Sequence, residues 1–147
     1  MFKFIFLILL INLSSYGEDN LAKYEAKIIE KIVVDITGKS NPKICVIDYP
    51  SSYIQQYALS LILTNCTQAD FIISSSDKRS DYNKPILVVG STEFSSHDVV
   101  GVVFWKKGRP QVLFINKNIR KFDIQLPEEY RKYIIRKEGT LNVKSDS

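Results

Sequence analysis

The sequence predicts an α/β fold: a small, mostly parallel, three-layer sheet with helices on its faces and a C-terminal β-hairpin. Three observations carry that expectation. Hydrophobic periodicity changes from helical to extended and back to helical between Leu21 and Thr64. Three short runs, KICVID, DFIIS and PILVVG, are continuous in apolar character, as strands covered on both faces are. Late in the chain, VVGVVFWKKGRPQVLFI sets two β-branched and aromatic runs on either side of a short segment containing Gly108 and Pro110, the pattern of a hairpin.

The elements follow in order. LAKYEAKIIEKIVVDITGK places Leu21, Ile28, Ile29, Ile32, Val33 and Ile36 at three- and four-residue steps, with Lys23, Lys27, Glu30 and Lys31 on the other face. This is an amphipathic helix, stopped by Gly38 and the Ser40-Asn41-Pro42 cluster. KICVID is a strand ended by Pro50, and Ser51 or Ser52 can cap a second helix through YIQQYALSLILT. DFIISSS and PILVVG are the next strands, and the polar link between them is short for a crossover helix. Gly101, inside the first hairpin run, marks a bulge or a close backbone approach. NKNIRKF forms a turn or two of helix, and LPEEYRKYII has Pro127 and two acids where a helix begins.

At 147 residues and 45% apolar, the chain has enough material for one core, so residues 18–135 form a single α/β domain. Before it, MFKFIFLILLINLSSYG sets one cation, Lys3, ahead of an apolar run from Phe4 to Ile11 and closes on Ser15 and Gly17 at signal-peptidase spacing. Residues 1–17 therefore read as a cleaved secretory signal; as an uncleaved anchor the run is short of the roughly 20 residues a spanning helix needs. The simple signal points to the periplasm, and the mature chain is not membrane-embedded. Residues 136–147 have little to bury and are expected to be a disordered tail.

Loss of Lys3 with the signal leaves 19 cations against 16 anions, a charge of +3. That balance and export both argue against a nucleic-acid partner. In an oxidising compartment, Cys45 and Cys66 either join in a disulfide closing a loop of about 20 residues, worth roughly 3 kcal/mol, or remain two buried thiols. No metal-ligand spacing, phosphate loop or dinucleotide fingerprint occurs, so no metal or cofactor is expected. The single histidine, His97, neighbours Ser95, Ser96 and Asp98, but adjacency in sequence is not triad geometry, and the chain reads as a non-enzyme.

Binding is what remains. Gly90, Ser91, Thr92, Glu93 and Phe94 follow a predicted strand at its carboxyl end, where open α/β sheets hold ligands. Lys106, Lys107 and Arg109 either guard a sheet edge or, with Trp105, form a tip that docks on a partner. Tyr53 and Tyr57, one helical turn apart, are either packing residues with wet hydroxyls or second contacts for that partner.

The order of features from Tyr24 to Ile115 resembles the periplasmic YfiR family: a signal, then YEAKIIEKIVVDITG, KICVID, NCTQADFIIS, ILVVG and a late hairpin. The resemblance implies a small α/β protein that binds and restrains a membrane diguanylate cyclase. The expected function is thus that of an exported, non-enzymatic regulator docking on a membrane signalling protein through Trp105, Lys107, Arg109, Tyr53 and Tyr57. The other reading is a small-molecule-binding module of a transport or sensory system, using Gly90 to Phe94.

Overall fold

A computed structural model describes residues 17–76, 82–92 and 98–135. The signal segment through Tyr16, His97 with its Ser95 and Ser96 neighbours, Glu93, Phe94 and the tail 136–147 lie outside the described residues.

The first amphipathic segment forms α1 (Gly17–Thr37). Ala26, Ile29, Ile32, Val33 and Ile36 are buried, as their spacing requires, but Leu21 and Tyr24 are 54% and 56% exposed. Length explains the difference. A 21-residue helix runs roughly 31 Å, whereas the five residues of β1 (Lys43–Ile47) span roughly 17 Å, so the first turns of α1 overrun the strand they precede. The helix stops where expected: Gly38 has φ +66°, and its N–H donates to the Val34 carbonyl at 3.0 Å.

The second helix, α2 (Ser51–Tyr57), is shorter than its sequence pattern predicts. It begins at Ser51 after Pro50, with no side-chain cap, and ends at Ala58. Ile62–Leu63 instead forms strand β2, pairing in parallel with Lys43 and Ile44 of β1. The apolar content of LSLILT served both readings, and the open edge of β1 decides for the strand. The chain continues through β3 (Phe71–Ser74), β4 (Ile86–Val89), β5 (Val99–Lys106), β6 (Arg109–Ile115) and α3 (Asn116–Lys121). A 3-10 turn (Glu128–Tyr133) and a two-residue strand, β7 (Ile134–Ile135), stand where PEEYRKYII suggests an ordinary helix.

The seven strands lie in the order β2-β1-β3-β4-β5-β6-β7, and every neighbouring pair is parallel except β5–β6. The α/β class, the mostly parallel sheet and the late hairpin are therefore present as predicted. Alternation along the strands divides the core in two. Ile44, Phe71, Ile73, Leu87, Val89, Val103 and Phe114 meet α1 and α2 on one face. Cys45, Ile72, Ile86, Val88, Val102 and Phe104 form the second cluster together with Ala69 and Cys66.

The link that carries Cys66 and Ala69 joins β2 to β3 in parallel without a crossover helix. Leu63 and Phe71 both pair with Ile44, so the link need only cross one strand. Cys66 in that link is joined to Cys45 of β1 by a disulfide with Cα atoms 4.9 Å apart, which fastens the crossing to the strand beneath it.

Gly101 serves both functions its position suggests. The β4–β5 register shifts between Ile86 and Leu87, opposite Val99 and Gly101, and a Cβ on Gly101 would sit 3.0 Å from Phe114 Cδ1. At the hairpin, Lys107 and Gly108 have φ of +51° and +72°, the two left-handed residues of a type I′ turn.

Candidate functional site

All five parallel strands and the hairpin turn finish at one end of the sheet, and the N-terminal half of α1 reaches the same end. There, Glu25 of α1 is the centre of a small aromatic constellation. Its carboxylate accepts from Trp105 Nε1 at 2.7 Å and from the Tyr49 hydroxyl at 2.9 Å. Tyr24 packs beside Trp105 with ring centroids 6.3 Å apart, and Tyr53 meets Tyr49 edge-on at 6.4 Å. Burial, reinforced by the charge and hydrogen bond of Glu25, pushes the Tyr49 phenol far above its ordinary pKa and keeps it a donor.

The structure thus brings Trp105 and Tyr53, far apart in sequence, onto one surface. Trp105 is half-buried, with its polar edge held by Glu25, while Tyr53 is 37% exposed. Lys107 and Arg109 stand exposed on the turn beyond Trp105. Among the described residues, no ion pair involves Lys106, Lys107 or Arg109. Tyr57 is half-buried against the main core, one turn further along α2 from the exposed rings.

Glu25 and Tyr49 join this surface without having been singled out in the sequence. A signal for Glu25 existed: it stands four residues before Ile29 and three before Ile28, in line with the apolar stripe of α1. A carboxylate on a core-facing stripe needs donors from elsewhere, here an indole and a phenol.

The ligand candidates lie nearby. Gly90 ends β4 with φ +88°, its N–H donating to the Val103 carbonyl at 2.7 Å, and Ser91 and Thr92 follow, half-buried. The strand order, however, reverses between β1 and β3, and open α/β sheets hold ligands at that crevice. It is laced by hydrogen bonds: Ser75 Oγ donates to the Asp48 carbonyl, and Ser76 Oγ to the Asp48 carboxylate at 3.3 Å.

A cavity of about 500 Å³ opens at the opposite end of the sheet, where α1 finishes and β3 and β4 begin. Asp35, Lys39, Asp70, Phe71, Phe122 and Asp123 contribute to its lining. Asp70 accepts from Lys39 Nζ at 2.8 Å and from the Lys43 N–H at 2.9 Å. Burial pushes its carboxyl up, but those donors outweigh burial and hold it below the ordinary carboxylate range. None of Gly90, Ser91 or Thr92 lines this cavity.

Among the described residues, no group of three or more His, Cys, Asp or Glu is placed to hold a metal ion. Nor is any described helix long and apolar enough to cross a membrane. Comparison with protein-family models, with curated proteins and with solved structures finds no match to this chain.

Proposed function

We propose that this chain is an exported, non-enzymatic binding protein that docks on the outer portion of a membrane signalling protein and regulates it. One observation carries the reading. Residues from α1, the β1–α2 connection and the hairpin converge through Glu25 into a single aromatic surface, flanked by three cations without an acidic partner among the described residues. Aromatic rings and arginine are the residue types enriched where proteins bind each other tightly. The diguanylate cyclase implied by the YfiR-like order of features is the partner class proposed, and the periplasm is the compartment.

In this account Trp105, Arg109 and Lys107 make the central contact, with Tyr53 and Tyr57 at its margin. The test is recovery of membrane partners, after detergent extraction, on the wild-type chain and on a Trp105→Ala, Arg109→Ala variant. Loss of one membrane protein from the variant, with its melting temperature checked alongside, supports the reading. Equal recovery from both chains overturns the role of the hairpin.

A second reading rests on the cavity of about 500 Å³ at the amino end of the sheet, a volume in the range of small-molecule pockets. There the protein is a binding module of a transport or sensory system. A metabolite screen by thermal shift checks it: a compound that raises the melting temperature with concentration, blunted by Asp123→Ala, favours this reading over docking.

A further inference from the structure

We infer that the hairpin end of the molecule also rests on an anionic phospholipid surface, through a patch made of Lys106, Lys107, Arg109, Trp105, Tyr24 and Leu21. The inference goes beyond protein docking and does not require it.

Three features meet in the patch. The first is charge: Lys107 and Arg109 are exposed and Lys106 half-exposed, and none has an ion-pair partner among the described residues. Glu25, which holds the indole of the neighbouring Trp105, already accepts from Trp105 and Tyr49. The second is apolar exposure. Leu21 and Tyr24 share one side of α1, three residues apart, and are two of the most exposed large hydrophobic residues; Tyr24 packs against Trp105, which precedes Lys106 and Lys107 at the hairpin end.

The third is side-chain type. Trp and Tyr, each with an apolar body and a polar tip, settle at the headgroup level of a bilayer, and Lys and Arg beside them add electrostatic attraction to anionic lipid. An acidic protein face would pair with the cations but has no complement for the apolar surface that Leu21 and Tyr24 expose at the same end of the molecule. The charge and apolar parts together match a lipid surface.

The experiment uses the mature chain and vesicles of two kinds, phosphatidylglycerol mixed with phosphatidylcholine, and phosphatidylcholine alone. Cosedimentation is expected with the first only, weakening as salt is raised. A Lys106→Ser, Lys107→Asn, Arg109→Ser variant should lose about fivefold in affinity per cation removed. Leu21→Ser with Tyr24→Ser should weaken binding while leaving its salt dependence intact. All these side chains are at least partly exposed, and circular dichroism confirms that each variant folds. No cosedimentation with anionic vesicles at low salt, or equal binding by the triple variant, overturns the inference. Retention on an immobilised acidic polypeptide without vesicle binding overturns it in favour of an acidic protein face. Partner recovery from detergent extracts is read separately, so either proposal can fail while the other stands.

Discussion

The Glu25 carboxylate accepts hydrogen bonds from Trp105 Nε1 at 2.7 Å and from the Tyr49 hydroxyl at 2.9 Å, and so ties α1 to the hairpin and to the β1–α2 connection. Replacing it with alanine strands two partly buried donors. Glu25→Ala is expected to cost about 2 kcal/mol in urea unfolding and to shift Trp105 fluorescence, while Glu25→Gln, which keeps one acceptor, costs less. An unchanged emission spectrum in Glu25→Ala would mean the indole is held by something else.

The hairpin offers a substitution in the opposite direction. Lys107 occupies a left-handed position at φ +51°, a conformation that asparagine tolerates better than lysine. Lys107→Asn is expected to raise stability by about 0.5 kcal/mol. A fall in stability would show that the lysine makes a contact worth more than the strain.

Close packing sets the response at Gly101. An added Cβ would sit 3.0 Å from Phe114 Cδ1 and 3.2 Å from the Leu113 carbonyl oxygen. Gly101→Ala is expected to destabilise by about 1–3 kcal/mol through overpacking across the β5–β6 pair. The paired substitution Gly101→Ala with Phe114→Leu should recover part of that loss; no recovery would place the clash at the backbone.

Acid and alkaline stability follow from one cluster. Asp35 accepts from Lys31 Nζ at 2.8 Å and from the Tyr130 hydroxyl at 2.6 Å. Burial pushes the Asp35 carboxyl up, but those hydrogen bonds outweigh it and hold it below the ordinary range, near pH 4 for aspartate. Its stabilisation is therefore complete above that range and is lost as pH falls through the lowered folded value. The Tyr130 phenol is pushed up to about 12, chiefly by burial and then by Asp35. Its contribution is complete below the ordinary tyrosine value of about 10 and disappears as pH rises toward the folded value. Tyr130→Phe should remove this alkaline loss and move the acid loss to higher pH, read from urea unfolding across pH.

The crossing between β2 and β3 depends on its staple. Cys45→Ser with Cys66→Ser is expected to lose about 3 kcal/mol, the value for a loop of this length. Hydrogen exchange should accelerate first at Ile62 and Thr64, whose N–H groups donate to the Pro42 and Ile44 carbonyls where the chain pairs along β1 and the link leaves β2, before the rest of the sheet. Uniform acceleration would mean that the link has no independent freedom.

Much of the fold is legible in residue patterns, for reasons particular to each element. The stripe of α1, its Gly38 stop, the three apolar runs and the KKGR turn are local signals, and the structure repeats them. Strand β2 is not local: LSLILT suits a helix until the free edge of β1 is beside it. The hairpin half of the candidate surface, Trp105 with Lys107 and Arg109, is visible as an unusual run of residues. Glu25 is not, because its place there depends on hydrogen bonds from Tyr49 and Trp105, which only the folded sheet brings to it. Similarly, the crevice between β1 and β3 follows from strand order, which no single run of residues encodes.

The central claim is that the hairpin end, and not the opposite end with the 500 Å³ cavity, meets the partner. Photocrosslinking in living cells tests it most directly, with a photoreactive residue placed in turn at Lys107, at Tyr53 and at Gln125, which lines that cavity. The same membrane protein is expected to be captured from Lys107 and Tyr53 and not from Gln125. Capture from Gln125 alone, or from none of the three positions, would contradict it.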